Sequence, residues 1–324
     1  MTNLNFVISE MTFWRYFIPL IDQASKMGIK SNVFIVGNDK YNNVFSFLSA
    51  IEKLAQKYDF NIFSLDVIND FPGVTFLIES CMIDSLDPDL HKINCVTYMT
   101  DYRHHFKNYI DRADHVFIPS FTMAKEYQTV SDKNRYFGSP KYDVVLDKET
   151  IRKKYGIKTK KPLALFMFPR TRDLTLVPVK LIYDALRDEG YDVLTKTRGK
   201  DPVAKDLRGD YYLSDNSWFP HTSMELITIS DVAINFGSTT SKECALLKLP
   251  LVNFSVKKHF THLKFLHKYD FFNEMGSTFN EKDFKRQLAI IRDTNFIDEF
   301  KKCWTNDLFD PNENVSQKIL QEVL

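Results

Sequence analysis

The chain has 324 residues, 44% hydrophobic and 26% charged, which suits two α/β domains of ordinary size and excludes a disordered chain. Its 43 basic and 42 acidic residues leave a net charge of +1, so no nucleic-acid partner is expected and any cationic function is local. Cys81, Cys95, Cys244 and Cys303 lack zinc or thioredoxin spacing and read as reduced core thiols, and no run approaches the ~18 apolar residues of a membrane span.

Strand-like and helix-like segments alternate from the start. Leu4 to Ile8 is a short apolar run, followed by a helical stretch from about Phe13 to Met27. Asn32 to Val36 is a second strand, Val44 to Tyr58 has helical spacing, and Asn61 to Leu65 returns to strand. Val74 to Ile78, Ile93 to Tyr98 and His115 to Ile118 continue the pattern. A seam at Phe137 to Asp143 is followed by a polar helix, Lys148 to Tyr155. The second half restarts with the buried strand Pro162 to Phe168. A helix (Val177 to Glu189), a strand (Tyr191 to Thr195) and a helix (His221 to Ile229) follow. Then come a strand (Val232 to Asn235), a helix (Thr240 to Leu247) and a strand (Leu251 to Phe254). Short apolar runs separated by amphipathic helices mean βαβ units and parallel sheets. The expected fold is α/β, two Rossmann-like domains facing across a cleft: residues 1–140, residues 141–310, and a C-terminal helix, 311–324, packing back on the first domain. The N-terminus lacks the basic region of a signal peptide, and Glu10 and Arg15 interrupt its apolar stretch, so a soluble cytoplasmic protein is expected.

The most informative stretch runs from Ser230 to Glu243. A buried strand ends at Asn235, a Gly237-Ser238-Thr239-Thr240 turn follows, and a helix opens. Gly237 permits close backbone approach, and the hydroxyls with the first helical N–H groups face a phosphate-sized space. Glu243, one turn in, suits the two hydroxyls of a ribose. The alternative is that Ser238 and Thr239 only cap the helix.

Gly237 to Glu243, followed by Leu-Lys-Leu-Pro-Leu-Val, resembles the donor-site signature of GT-B glycosyltransferases. The resemblance implies phosphate contact for Ser238, Thr239 and Thr240 and ribose contact for Glu243. Gly138 to Asp143 is similar to the interdomain segment shared by CDP-glycerol glycerophosphotransferases and UDP-GlcNAc 2-epimerases, and Phe166 to Asp173 resembles the first C-domain strand of the former. The chain departs from both families. The turn at Leu194 to Lys200 has no His, no His-Gly-Thr turn appears in the first half, and the Gly-Gly pair and paired acids of the epimerases are missing. Sugar transfer survives these gaps better than glycerophosphate transfer or epimerisation.

Arg170 and Arg172 follow one predicted strand, and Lys196, Arg198 and Lys200 follow the next. Together they would neutralise a diphosphate and stabilise it as a leaving group without a metal; a solvated basic edge is the plainer alternative. Asp87-Pro88-Asp89, the one formal match to an acidic metal motif, sits in a predicted surface turn. Trp218 and Phe219 suit either the wall of a base pocket or the core, and His221 starts a helix. For the base that takes the acceptor's proton, the candidates are Glu10, Glu79 and the cluster Asp101, His104 and His105, with His104 favoured. The expectation is a metal- and cofactor-independent glycosyltransferase. It would move a sugar from a nucleotide-sugar donor to a glycan or lipid-linked acceptor, with peripheral contact to the inner face of a membrane. Glycerophosphate transfer and a silent nucleotide or glycan binder are the rivals.

Overall fold

The structure is a computed structural model. It describes residues 3–36, 44–97, 111–126, 129–169, 171–197, 202–214, 219, 221–236, 238, 240–254, 274–275, 279–293 and 313–324. The chain forms two compact units, Met1–Val144 with Asp307–Leu324, and Val145–Asn306.

The first unit is built on seven strands: β1 (Asn3–Ile8), β2 (Ser31–Ile35), β3 (Phe60–Ser64), β4 (Gly73–Ile78), β5 (His91–Val96), β6 (His115–Phe117) and β7 (Asn134–Arg135). All pair in parallel, in the order β3-β2-β1-β4-β5-β6-β7. Helices α1 (Trp14–Lys26), α2 (Leu48–Tyr58) and α3 (Phe121–Glu126) connect them. One face of α1 is apolar: Trp14, Phe17, Ile18, Leu20 and Ile21 are all fully buried. Phe6 stacks on Phe76 across the two central strands, at 5.2 Å between ring centroids. Gly28, at φ 76°, ends α1 in the left-handed conformation that costs glycine least.

A polar ladder crosses the other face of this sheet near the amino ends of the strands. Asn61 donates to Asn32 (3.0 Å), Asn32 to Asn5 (3.2 Å), and Asn5 to Thr75 (3.3 Å). The Thr75 hydroxyl meets His91 Nδ1 at 2.9 Å, and His91 Nε2 meets Asn69 Oδ1 at 3.2 Å. Each member has a partner, which makes a buried polar row tolerable. Burial holds the His91 ring below the ordinary histidine pKa, opposed by nearby Asp87.

The C-terminal helix, here α9 (Val315–Val323), belongs to this unit. Val315, Ile319, Leu320 and Val323 are buried, and α9 packs on α1. Asp143 accepts from the N–H groups of Val315 (3.2 Å) and Ser316, satisfying the helix start. Arg135 donates to Glu322, and Lys92 Nζ to the Val323 carbonyl at 2.9 Å. The 3-10 turn Pro140–Tyr142 also packs on α1. These contacts draw the division between units to Val144, a few residues past the 140 boundary expected from the seam.

The second unit has six parallel strands: β8 (Leu163–Met167), β9 (Asp192–Lys196), β10 (Tyr211–Leu213), β11 (Val232–Asn235), β12 (Leu251–Phe254) and β13 (Glu274–Met275). Their order is β10-β9-β8-β11-β12-β13. Its helices are α4 (Lys148–Lys154), α5 (Val179–Asp188), α6 (Thr222–Ile229), α7 (Thr240–Leu246) and α8 (Glu281–Ile291). Phe166, Val193, Val232, Ile234 and Val252 pack with Ile182, Leu186, Phe284 and Leu288 into one core. Among the described residues no helix is long and apolar enough to cross a membrane.

Candidate functional site

In each sheet the chain moves outward in one direction from the first strand and then in the other from the fourth. Loops leaving two adjacent strands therefore part company and open a crevice at their carboxyl ends. In the second unit that gap lies between β8 and β11, paired at Phe166 and Ile234. Asn235 closes β11 with its side chain fully buried. Its amide donates to the Ser238 carbonyl (3.2 Å) and to Asn253 Oδ1 (2.8 Å), and its Oδ1 accepts the Ser238 N–H (3.3 Å). The turn is thus pinned by one side chain. The Ser238 and Thr240 hydroxyls lie 2.9 Å apart, and the Ser238 carbonyl accepts from the N–H (3.1 Å) and hydroxyl (3.0 Å) of Ser241. Ser238 thus meets the start of α7 mainly through its backbone carbonyl, and its hydroxyl lies 3.4 Å from the Thr240 N–H.

Capping leaves Glu243 unexplained. One turn into α7, its side chain is 5% exposed, and Oε1 lies 3.6 Å from His221 Nδ1, whose side chain is 8% exposed. His221 stands just before α6, on the element that leads back into β11. Cys244 beside Glu243 is fully buried. Burial, with the Glu243 charge adding to it, pushes that thiol well up.

Of the expected cations, Lys196 is the last residue of β9, the strand flanking β8, and is buried. Its Nζ donates to the Thr197 carbonyl at 3.0 Å. Arg172 lies in the 3-10 turn Thr171–Leu176 after β8. Arg170, Arg198, Lys200, Trp218, Gly237 and Thr239 lie outside the described residues.

The corresponding gap of the first unit lies between β1 and β4. Glu10 and Glu79, expected separately at two strand ends, flank this one gap. Glu10 Oε2 accepts from the Thr12 hydroxyl at 3.1 Å. Glu79 is buried and holds φ at 53°, a left-handed conformation uncommon for a residue with a side chain. Cys81 joins them, a residue that sequence reasoning had left among the core thiols. Burial pushes its thiol up to about 11 against a hydrogen bond with Ser9, and the charges of Glu79 and Glu10 add to the rise. No sequence signal marked it, beyond its standing two residues after Glu79. Asp101, His104 and His105 lie outside the described residues. Asp87 and Asp89 form a turn in which the Asp89 N–H donates to Asp87 Oδ1 (3.0 Å), ahead of β5 and so at the opposite edge of the sheet. Among the described residues no three His, Cys, Asp or Glu side chains converge on a point that could hold a metal ion.

No protein-family model matches the chain, and no curated protein matches it by sequence. Solved structures do match its fold. UDP-GlcNAc 2-epimerase from Neisseria meningitidis, bound to UDP-GlcNAc, superposes with a TM-score of 0.68 at 10% identity, covering 100% of this chain and 99% of that one. The wall teichoic acid polymerase TagF gives 0.66 at 10% identity, covering 99% and 88%. A glycosyltransferase of kitacinnamycin gives 0.64 at 7% identity, covering 100% and 99%. These are enzymes of the GT-B type, and the two Rossmann-like units of this chain have the GT-B fold.

Proposed function

We propose that the chain is a glycosyltransferase that uses a nucleotide-sugar donor held by the second unit and a glycan or lipid-linked acceptor presented by the first, as in polysaccharide assembly. The observation that supports this reading is the buried Glu243–His221 pair beside the hydroxyl turn, at the gap between β8 and β11. A carboxylate one turn into the helix behind a hydroxyl turn suits the two hydroxyls of a ribose. In this scheme Ser238, Thr239 and Thr240 meet the diphosphate, and Arg170, Arg172, Lys196 and Arg198 offset its charge. The acceptor oxygen attacks the anomeric carbon, and the bond from that carbon to the phosphate oxygen breaks. The departing nucleotide keeps the electron pair, while a base in the first unit takes the acceptor's proton. His104 with Asp101, His105, or Glu10 would be that base. We place the reaction in the cytoplasm, at the inner face of a membrane when the acceptor is lipid-linked.

A thermal-shift panel of UDP, GDP, CDP, CMP and their sugar conjugates tests the reading. At least one nucleotide should raise the melting temperature, and its sugar conjugate should be hydrolysed or transferred, with or without EDTA. Nucleotide binding without turnover points to a silent binder; CDP-glycerol as the one productive donor points to glycerophosphate transfer. Turnover lost to EDTA and restored by Mg²⁺ or Mn²⁺ overturns the metal-independent scheme.

A further inference from the structure

The segment around α4 is not used by the proposed reaction, and its charge is the most lopsided in the chain. Positions 148 to 161 hold seven Lys or Arg and one acid, Glu149, in a protein whose total is +1. Six of the seven, all but Lys154, line a groove of about 820 Å³ within the second unit, together with Glu149. Pro162 and Asp231 close it, the residues that precede β8 and β11. The groove therefore opens at the amino edge of the sheet, while Ser238 and Glu243 stand beyond the carboxyl edge, about 13 Å of strand away.

The groove is preformed. Gly156, at φ 66°, turns the chain out of α4, and Ile157, 5% exposed, anchors the loop. Thr159 N–H donates to the Tyr211 hydroxyl (3.2 Å), Lys161 N–H to the Thr159 hydroxyl (3.0 Å), and Arg152 to the Thr159 carbonyl. Some of the cations are engaged inside the unit. Lys154 meets both Glu225 oxygens at 2.8 Å, and Lys161 lies 3.3 Å from Asp192. The Asp231 carboxylate accepts the Leu163 N–H at 2.8 Å. Lys148, Lys153, Lys158 and Lys160 are exposed, and among the described residues no carboxylate lies within 4 Å of them.

Four exposed ammonium groups on long stems make a poor site for one small anion, which needs buried donors in fixed geometry. A concave channel is likewise a poor match for a flat bilayer. We propose that this groove binds a linear polyanion, a polymer whose phosphate groups recur along its length, at a site separate from the reaction centre. The inference does not rest on the nucleotide reading, because the polymer is tested alone.

The probe is fluorescein-labelled long-chain inorganic polyphosphate, titrated by polarisation at low and physiological salt. The wild-type chain should bind it, more weakly as salt rises, and bind tripolyphosphate far less. Lys153→Gln/Lys158→Gln/Lys160→Gln should lose roughly tenfold or more in affinity. Lys180→Gln/Lys205→Gln/Lys282→Gln, the same charge change elsewhere in the unit, should bind as wild type. Lys158→Glu/Lys160→Glu, confined to the loop, repeats the test without touching the helix. Equal binding by the groove and control variants overturns the proposal, as does equal affinity for tripolyphosphate. Groove-dependent flotation with phosphatidylglycerol vesicles that long polyphosphate fails to displace overturns it too, in favour of a membrane surface.

Discussion

At the gap between β1 and β4 stand Glu10, Glu79 and Cys81; at the same topological position in the second unit, between β8 and β11, stand Asn235, Ser238, Thr240 and the Glu243–His221 pair. The first gap offers carboxylates on short turns, one of them in a left-handed backbone conformation. The second offers amides and hydroxyls already bonded to one another, with its one carboxylate sunk into a helix and facing a histidine. Groups that move protons need a tunable pKa and reach to the reacting hydroxyl, whereas groups that hold a ligand need to be fixed before it arrives. The proposed split between base and donor site draws on that difference.

The largest effect should come from the first unit. Replacing the base costs roughly 10²- to 10⁴-fold in turnover with nucleotide affinity intact. His104→Ala and His105→Ala are the first variants to assay, by turnover and by nucleotide calorimetry. If both keep near-normal rates, Glu10→Gln and Glu79→Gln come next. A variant in this set that weakens nucleotide binding as much as turnover breaks the division between the two gaps.

A smaller effect, on affinity, belongs to the second unit. Glu243→Ala should cost about 1.5–3 kcal/mol of nucleotide binding, some 10- to 150-fold in Kd. Unchanged calorimetric affinity in a folded variant removes Glu243 from the site.

The smallest effect separates the units by pH. Burial lowers the folded pKa of His91, and burial with Arg135 and Lys92 lowers that of His115. The unfolded chain, with histidines near 6.5, then binds protons that the folded first unit refuses. The stability from these two rings is complete above about pH 6.5 and is lost as pH falls through the folded values. Melting of the wild-type chain between about pH 7.5 and pH 5 should show it. His91→Gln should flatten the slope; an unaltered slope assigns it elsewhere.

Much of the fold was legible because strands buried on both faces read as apolar runs, as Val232–Asn235 and Leu251–Phe254 do with the same ends in sequence and structure. The edge strands Asn134–Arg135, Tyr211–Leu213 and Glu274–Met275 are two or three residues long and carry no periodicity to read. The asparagine ladder also escaped notice, since one Asn in an apolar run says nothing until register sets Asn5 beside Asn32 and Asn61. Glu243 was legible because its spacing from the turn is local. The approach of His221 across 22 positions, and of Glu10 to the Glu79 gap, depends on strand order, which no local pattern encodes.

The docking of Val315–Val323 on α1 has a consequence for synthesis. The ribosome delivers the first 144 residues, then the whole of the second unit, and only then the helix that completes the first. At bacterial to eukaryotic elongation rates that interval is on the order of ten to thirty seconds. Throughout it α1 lacks its contact with α9, and Asp143 lacks the two N–H groups it accepts from. The unit made second can therefore reach its finished state before the first, whose α1 gains its contact with α9 only after residues 315–323 have been made.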